Sequence, residues 1–442
     1  MSENELNQRI QNAKNKKLKL GVIGLGYVGL PLSVSFAKAG FSVLAIDVIP
    51  KKVDQLNRGE SPVKGVHVDE VKELVRKGKL KASTNYEDLK EADVISICVP
   101  TPLRKTKDPD VSFILDASYR ISEVIKKGAL VVLESTTYPG TTHERILPIF
   151  IEKGLVLDED FYLAYSPERI DPGNQTYMVE NTPKVVGGIS PSSTAFAKAV
   201  YSSIINQVVV VSSTQSAEMV KLLENTFRAV NIGMVNEIAI MCEILKIDTW
   251  EVIDAAATKP FGFMPFYPGP GLGGHCIPVD PHYLNWKLRT LNYNARFIEL
   301  AGEINSSMPS RVVDLVNHAL NTHKKSVNGS NILILGVAYK KNIDDTRESP
   351  ALDVMVFLKD RKANLHYHDP FVPRLQLGDL TLENLSENQI QGQAISKFDC
   401  VVILTDHTCF DFPSIVNHAQ LVVDTRNASK GLKVEEGKLF RL

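Results

Sequence analysis

One stretch of the sequence, FYPGPGLGGHCIPVDP at 266–281, gathers more reactive chemistry than any other. Gly269, Gly271, Gly273 and Gly274 crowd in front of His275 and Cys276, and Pro268, Pro270, Pro278 and Pro281 stiffen the loop. Glycines let backbone N–H groups approach a neighbour closely, and prolines remove slack. A thiolate held by N–H donors and a nearby cation is a nucleophile, and the same donors can hold an oxyanion. Asp280 follows four residues after Cys276. Lys221 and Asn225 stand at i and i+4, so a helix would project an ammonium and an amide from one face.

A second constellation lies near the start. Gly24-Leu25-Gly26-Tyr27-Val28-Gly29 follows a predicted strand and opens a predicted helix, and Asp47 ends the next strand. Gly24 permits the tight turn, Gly26 lets the backbone approach a pyrophosphate, and Gly29 permits close helix–strand packing. The helix start offers its N–H groups to the phosphates. Asp47 suits a ribose diol and repels a 2′-phosphate, which favours NAD over NADP, although Lys51 and Lys52 soften that preference. The alternatives are a glycine turn that merely packs, or a sheet that binds FAD. Near the other end, Gly336 closes a strand ahead of Lys340, Lys341 and Arg347. That pattern suits a diphosphate, and equally a solvated basic loop.

An NAD site with a nucleophilic cysteine narrows the reaction. Simple alcohol oxidation needs an acid or base and no covalent step. Cysteine becomes useful when an aldehyde is oxidised further: thiolate addition gives a thiohemiacetal, loss of hydride gives a thioester, and water releases an acid. Alcohol to acid would then use two NAD. Cys98, Cys242, Cys400 and Cys409 read as small buried apolar groups. A metal site at His275, Cys276, Asp280 and His282 lacks a familiar ligand spacing, so no metal is expected. His366, His368 and Asp369, alternating at a strand end, read as structural.

The elements that must position these groups follow from pattern. Leu18–Ile23, Phe41–Ile46, Ala92–Val99 and Ala129–Glu134 read as strands, with helices at Val28–Ala39 and Phe113–Lys126. This alternation predicts a parallel sheet with right-handed crossovers, which Phe161–Tyr165, Lys184–Val186 and Gln207–Val211 extend. Ser213 or Thr214 caps a helix of roughly 30 residues, far longer than the usual length, suited to a central strut and a dimer seam. Asn331–Val337, Asn364–Tyr367, Cys400–Leu404 and Gln420–Val423 are strands whose texts echo the first set: FSVLAID by ANLHYHD, ADVISICVPTP by FDCVVILTDH, ALVVLEST by QLVVDTRN. The expected fold is α/β, with two doubly wound Rossmann-like domains joined by a central long-helix domain. The expected bounds are 1–212, 213–318 and 319–442.

The chain has 442 residues, and its 50 Lys+Arg against 51 Asp+Glu argue against a nucleic-acid partner. Five cysteines without CxxC spacing fit a reducing cytoplasm rather than a disulfide framework. Lys14, Lys16, Lys17 and Lys19 ahead of the uncharged run Leu20–Ala37 mimic a targeting signal, but Gly21, Gly24, Gly26, Gly29 and Pro31 break that run, and no membrane association is expected.

Taken together, GLGYVGLP (24–31), CVPTP (98–102), EST (134–136), SPER (166–169), KLLENTFRAVNI (221–232), PGPGLGGHCIPVDP (268–281) and YKKNIDDTRESP (339–350) resemble the nucleotide-sugar 6-dehydrogenases, the UDP-glucose and UDP-N-acetylhexosamine dehydrogenases. The resemblance covers essentially the whole chain. It implies an NAD domain, a central dimer helix and a UDP domain, and oxidation of a sugar C6 alcohol to the uronate with two NAD. It implies Cys276 as nucleophile, Lys221 as oxyanion stabiliser, Asn225 as its assistant at the sugar, and Asp280 as proton relay. It makes Glu168 the base in thioester hydrolysis and has Thr136 hold water. Gly24, Gly26, Tyr27, Val28, Gly29, Asp47, Thr101, Thr136 and Arg347 would meet the cofactor. Glu168, Arg169, Lys221, Asn225, Tyr267, Gly273 and Lys340 would meet the UDP-sugar. SPERIDPG, GGHCIPVDP and LVVDTRN resemble the acetamido-sugar branch, which implies UDP-GlcNAc first, then UDP-GalNAc or UDP-ManNAc, with UDP-glucose the remaining alternative, and a surface polysaccharide as destination. Two rival readings are a two-electron hydroxyacid dehydrogenase and a non-catalytic nucleotide sensor. The first has no use for Cys276 or for strands beyond 331, and the second none for Lys221, Asn225, Cys276 and Asp280 together.

Overall fold

The computed structural model describes residues 3–63, 66–104, 108–170, 176–274 and 276–442. Their contacts divide into two compact units, Met1–Glu224 with His282–Tyr293, and Asn225–Pro281 with Asn294–Leu442. Among the described residues no helix is long and apolar enough to cross a membrane. The run that mimics a targeting signal is instead the first strand and the helix after it.

In the first unit the strands are β1 (Lys19–Ile23), β2 (Ser42–Ile46), β3 (Leu80–Ser83), β4 (Val94–Ile97), β5 (Ala129–Leu133), β6 (Phe161–Tyr165), β7 (Lys184–Gly188) and β8 (Val208–Val210). They form one sheet in the order β3-β2-β1-β4-β5-β6-β7-β8. The strands from β3 to β6 are parallel. β4, β5 and β6 are buried along their whole length, as expected of strands covered by helices on both faces. The order reverses beside β1, and the glycine turn follows β1 at that switch point, where open α/β sheets bind ligands. One expectation needs correction. β7 runs antiparallel to β6 and β8 parallel to β7, so the sheet is mixed. The connection from β6 to β7 contains no helix among its described residues, so no right-handed crossover returns the chain to the parallel direction.

The second unit carries β9 (Asn331–Leu335), β10 (Asn364–His368), β11 (Arg374–Leu377), β12 (Leu380–Glu383), β13 (Cys400–Ile403), β14 (Val422–Asp424) and β15 (Leu439–Arg441). Five of them form a parallel sheet in the order β10-β9-β13-β14-β15, and β11 and β12 make a separate hairpin. That order repeats β2-β1-β4-β5-β6, so the echo in the text is structural. The correspondence extends to single hydrogen bonds. Gly24 (φ 102°) donates its N–H to the Ile46 carbonyl at 2.7 Å, and Gly336 (φ 77°) donates to the His368 carbonyl at 2.9 Å. Asp47 accepts from Leu25 N–H (2.8 Å) and Ile49 N–H (2.9 Å). Asp369 accepts from Val337 N–H (2.8 Å) and Phe371 N–H (2.8 Å). Each acid sits one residue beyond its strand, two residues before one donor, and opposite the residue that follows the turn glycine.

The helix Thr214–Leu245 has 32 residues, and Ser213 Oγ accepts the Ser216 N–H at its start (3.1 Å), as the capping pattern predicts. In the second unit it packs on Arg296–Thr322 so closely that a Cβ on Gly233 would lie 3.0 Å from Ala301 Cα. Cys98, Cys242 and Cys400 are buried as expected, but Cys409 is exposed, because it lies in the turn after β13 rather than on a strand.

Asp369 and His407 are both fully buried, with His407 Nε2 3.0 Å from Asp369 Oδ2. His407 Nδ1 accepts the Asn342 N–H (2.9 Å), which leaves the proton on Nε2 to donate to Asp369. Burial raises the Asp369 carboxyl, but the His407 hydrogen bond and the Val337 and Phe371 N–H groups outweigh it and hold it below the ordinary 3.8. A depressed carboxyl stabilises the fold above its unfolded value and loses that contribution as pH falls through the folded one. Asp369→Asn should therefore lower stability at neutral pH by about 1–3 kcal/mol and lack the loss below pH 3.8. Urea unfolding of both proteins from pH 7 down to pH 3 checks this, and parallel acid losses would contradict it.

Candidate functional site

The glycine turn is shaped for a close-approaching diphosphate. A Cβ on Gly29 would lie 1.9 Å from the Gly24 carbonyl oxygen, and one on Gly24 would lie 2.5 Å from the Cys98 carbonyl oxygen. On Gly26 a Cβ would meet nothing within 4 Å, so that face of the backbone is open. Val28 precedes the helix Gly29–Lys38, whose first turn carries no acid, and Tyr27 is exposed beside it. The helix start is thus free to attract an anion. Asp47 is buried with Lys52 Nζ at 3.5 Å. These observations fit NAD: Gly24, Gly26 and Gly29 would hold its diphosphate and Asp47 its ribose.

Two more loops at the carboxyl ends of the strands complete this face. Thr101 is buried after β4, and its carbonyl accepts the Tyr283 hydroxyl. Thr136, half-buried, follows β5 in a loop tied to its neighbour by Ser135 Oγ, which donates to the Val99 carbonyl at 2.8 Å. The same loop is clamped from the long helix by Glu218. That carboxyl, fully buried, accepts from Gly140 N–H (2.5 Å), Thr142 N–H (2.9 Å) and Thr142 Oγ1 (2.7 Å). Burial pushes it up to about 7, against the pull of the Thr142 hydroxyl and the two N–H donors.

Glu168 follows β6 and is 14% exposed at its side chain. Its Oε1 accepts the N–H groups of Arg169 (2.7 Å) and Ile170 (2.8 Å). Burial works against the charge, but Lys184, those N–H groups and Lys221 together hold the carboxyl below its ordinary range. Arg169 is engaged elsewhere: its guanidinium bonds Glu224 (2.5 Å) and the Pro183 carbonyl (2.5 Å). Lys221 is buried on the long helix one turn before Asn225.

In the second unit the cysteine loop is pinned at every glycine. Gly269 N–H donates to Asn236 Oδ1 (3.0 Å), Asn236 Nδ2 donates to Asn305 Oδ1 (2.9 Å), and Asn305 Nδ2 donates to the Ala229 carbonyl (3.1 Å). A Cβ on Gly271 (φ 135°) would lie 3.1 Å from the Asn305 carbonyl oxygen. Gly273 and Gly274 lie under Tyr339, and Gly274 N–H donates to the Arg347 carbonyl at 3.2 Å. Cys276 is exposed, and its carbonyl accepts the N–H groups of Val279 (3.1 Å) and Asp280 (2.8 Å), which opens the helix Asp280–Arg289. Asp280 and Asn225 are both buried and joined by a 2.5 Å hydrogen bond from Asn225 Nδ2 to Asp280 Oδ2. His275 lies outside the described residues, and with it part of the metal reading. Tyr267 is half-exposed and stacks on Trp250 at 6.0 Å. Lys340 is half-buried just after Tyr339. The Arg347 guanidinium forks onto Asp345 (2.6 Å).

Sequence reasoning missed Arg426. It follows β14 with Nε donating to the Leu404 carbonyl (3.0 Å), and burial lowers its basicity. A Cβ on Gly269 would lie 2.7 Å from its Nη1, so this buried cation is set against the glycine loop. The signal was present in LVVDTRN, the third echo, which places Arg426 after a strand at the ligand-binding edge.

Three family profiles match the chain in order. The UDP-glucose/GDP-mannose dehydrogenase NAD binding domain matches residues 18–205, the central domain 215–307, and the UDP binding domain 333–431. The UDP-N-acetyl-D-mannosamine dehydrogenase of Pyrococcus horikoshii is 35% identical over 96% of this chain and 98% of its own length. The UDP-N-acetyl-D-glucosamine 6-dehydrogenase of Pseudomonas aeruginosa is 38% identical over 81% of this chain and 84% of its own. A solved structure of the UDP-D-ManNAc dehydrogenase from P. horikoshii superimposes with a TM-score of 0.86 at 33% identity, covering 96% of this chain and 99% of that one.

The pinned glycines make two expectations quantitative. Gly29→Ala should weaken NADH binding at least tenfold, about 1.4 kcal/mol, in a fluorescence titration. Asn236→Ala strands Gly269 N–H and Asn305 and should cost about 1–3 kcal/mol in urea unfolding, with lower turnover.

Proposed function

The chain belongs to the UDP-glucose/GDP-mannose dehydrogenase family and is an NAD-dependent UDP-sugar dehydrogenase; from that premise we propose that it oxidises C6 of a UDP-N-acetylhexosamine to the carboxylate, with two NAD per turnover. UDP-GlcNAc is the first choice, because the P. aeruginosa relative named for it is 38% identical. UDP-ManNAc is the second reading, favoured by the P. horikoshii relative that matches over 96% of this chain. The observation that carries the four-electron reaction is Cys276, exposed on a turn whose end residue, Asp280, is buried and bonded to Asn225.

When bound, NAD accepts hydride. Lys221 and Asn225 stabilise the oxygen at C6 as it gains negative charge, and Asp280 holds the Asn225 amide and relays the proton released from the hydroxyl. The Cys276 thiolate adds to the aldehyde carbon, and loss of a second hydride leaves a thioester. Thr136 orients a water and Glu168 takes its proton; the new C–O bond displaces the Cys276 thiolate and frees the acid. Gly24, Gly26, Tyr27, Val28, Gly29, Asp47, Thr101 and Arg347 serve the cofactor. Tyr267, Gly273, Lys340 and Arg426 serve the UDP-sugar, and Arg169 supports Glu168 from its clamp on Glu224. We assign the same division of labour to residues 1–212, 213–318 and 319–442, and a uronic acid for surface polysaccharide as the product.

The working form is a homodimer, or a higher homo-oligomer, built on the long helix. Leu223, Phe227, Met234 and Met241 leave an exposed apolar stripe along it, of the kind that marks an interaction surface.

A panel of UDP-GlcNAc, UDP-ManNAc, UDP-GalNAc and UDP-glucose with NAD tests the reading. NADH per uronate should be about two, and a ratio of one would overturn the four-electron reaction. Cys276→Ala should bind the UDP-sugar while making no acid, and an unchanged rate would remove the covalent step.

A further inference from the structure

Four buried groups at the carboxyl edge of the first sheet take no part in the reaction above. They are Lys184, Glu134, Tyr201 and Cys98. Their arrangement follows from the reversed strand. β6 and β7 pair antiparallel with Tyr165 opposite Gly187, so continuing that register sets Glu168 opposite Lys184. A parallel β7 would have put its first residue at the far edge of the sheet. Lys184 Nζ lies 2.6 Å from Glu134 Oε2 and 3.4 Å from Glu168 Oε2, with the lysine side chain 5% exposed. Tyr201 donates its hydroxyl to Glu134 Oε1 at 2.5 Å, and its ring faces the ammonium at 5.4 Å. Glu134 thus fixes Lys184 beside Glu168, and Tyr201 fixes Glu134.

We propose that Lys184 is a positioning residue for Glu168: it keeps that carboxylate ionised and aims its Oε2 during acid release. The proposal rests on the reading that Glu168 removes the proton from the hydrolytic water. Both oxygens of Glu168 are then accounted for. Oε1 is held by the Arg169 and Ile170 N–H groups, and Oε2 faces the lysine. A base acts only when ionised, and a buried carboxylate without a partner cation takes up a proton. Among the described residues, the other charged or titratable groups around Glu168 are Glu134 after β5, Cys98 after β4, Tyr201 on the Pro191–Tyr201 helix, Lys221 on the long helix, and Arg169, itself paired with Glu224. Lys221 assists ionisation of Glu168, and Lys184 supplies the cation that Glu168 and Glu134 share. Burial and these charges leave Glu168 with a depressed carboxyl, which agrees with that geometry.

The test follows acid release in Lys184→Met, Lys184→Arg and the double variant Lys184→Met with Glu134→Gln, which also removes the Glu134 charge if the single variant folds poorly. The substrate is whichever UDP-N-acetylhexosamine turns over fastest in the panel above. Removing the cation raises the Glu168 carboxyl, so the acidic limb of the kcat–pH profile should move up by about 1–3 pH units. Below that limb, intact-protein mass spectrometry should find the acyl adduct on Cys276, while KM for NAD stays at the wild-type value. Lys184→Arg should restore the limb. An acidic limb unmoved in both Met variants overturns the proposal. Glu168→Gln separates the two claims: full acid release in that variant removes the role of Glu168, whereas lost release together with an unmoved limb in the Lys184 variants removes Lys184 alone.

Discussion

A carboxylate at the tip of a strand, accepting the N–H that follows a turn glycine, holds up both halves of this protein. The chain leaves β1 and β9 by a sharp turn at a glycine of positive φ. That turn points N–H groups away from any ladder partner, and buried N–H groups without an acceptor cost about 1–3 kcal/mol each. Asp47 satisfies the first turn and Asp369 the second, each with a further bond to the backbone two residues on. The second acid needs more support, since it is fully buried, and His407 supplies it while also fixing Asn342 in the loop that carries Lys340.

The reactive loops are held by a different device. None is regular structure, so each depends on side chains reaching in from an element that is. Asn236 on the long helix receives the first N–H of the cysteine loop, and Asn305 on the neighbouring helix holds Asn236 in place. Glu218, nearer the start of the same long helix, receives two N–H groups from the loop after Thr136. Glu218, Lys221, Asn225 and Asn236 all belong to the helix Thr214–Leu245.

Much of this was legible from residue order. The glycine turn, the long helix, the strand echo and the cysteine loop all rest on short-range rules: periodicity, capping, and the conformational freedom of glycine. The echo was weak as text yet corresponds to the same strand order and the same acid-to-turn bonds in both units. The direction of β7 was not legible, because the alternation of apolar residues is identical in a parallel and an antiparallel strand. With it went Lys184, an ordinary lysine in the text that becomes a buried cation only through strand pairing. Cys409 reads like Cys400 on composition, and only the position of the turn after β13 separates the exposed thiol from the buried one. The role of Glu218 was not legible either, because its partners at 140 and 142 are more than seventy residues away.

Asp47 has one consequence for how such an enzyme can change over time. In the function proposed above Asp47 would meet the ribose, and its oxygens already tie down Leu25 and Ile49. A substitution that welcomed a 2′-phosphate would remove the acid and slacken the turn in the same step. Cofactor choice is in this way entrenched by architecture: a lineage drifting toward NADP would first have to acquire another acceptor for the Leu25 N–H, and only then would the aspartate become dispensable.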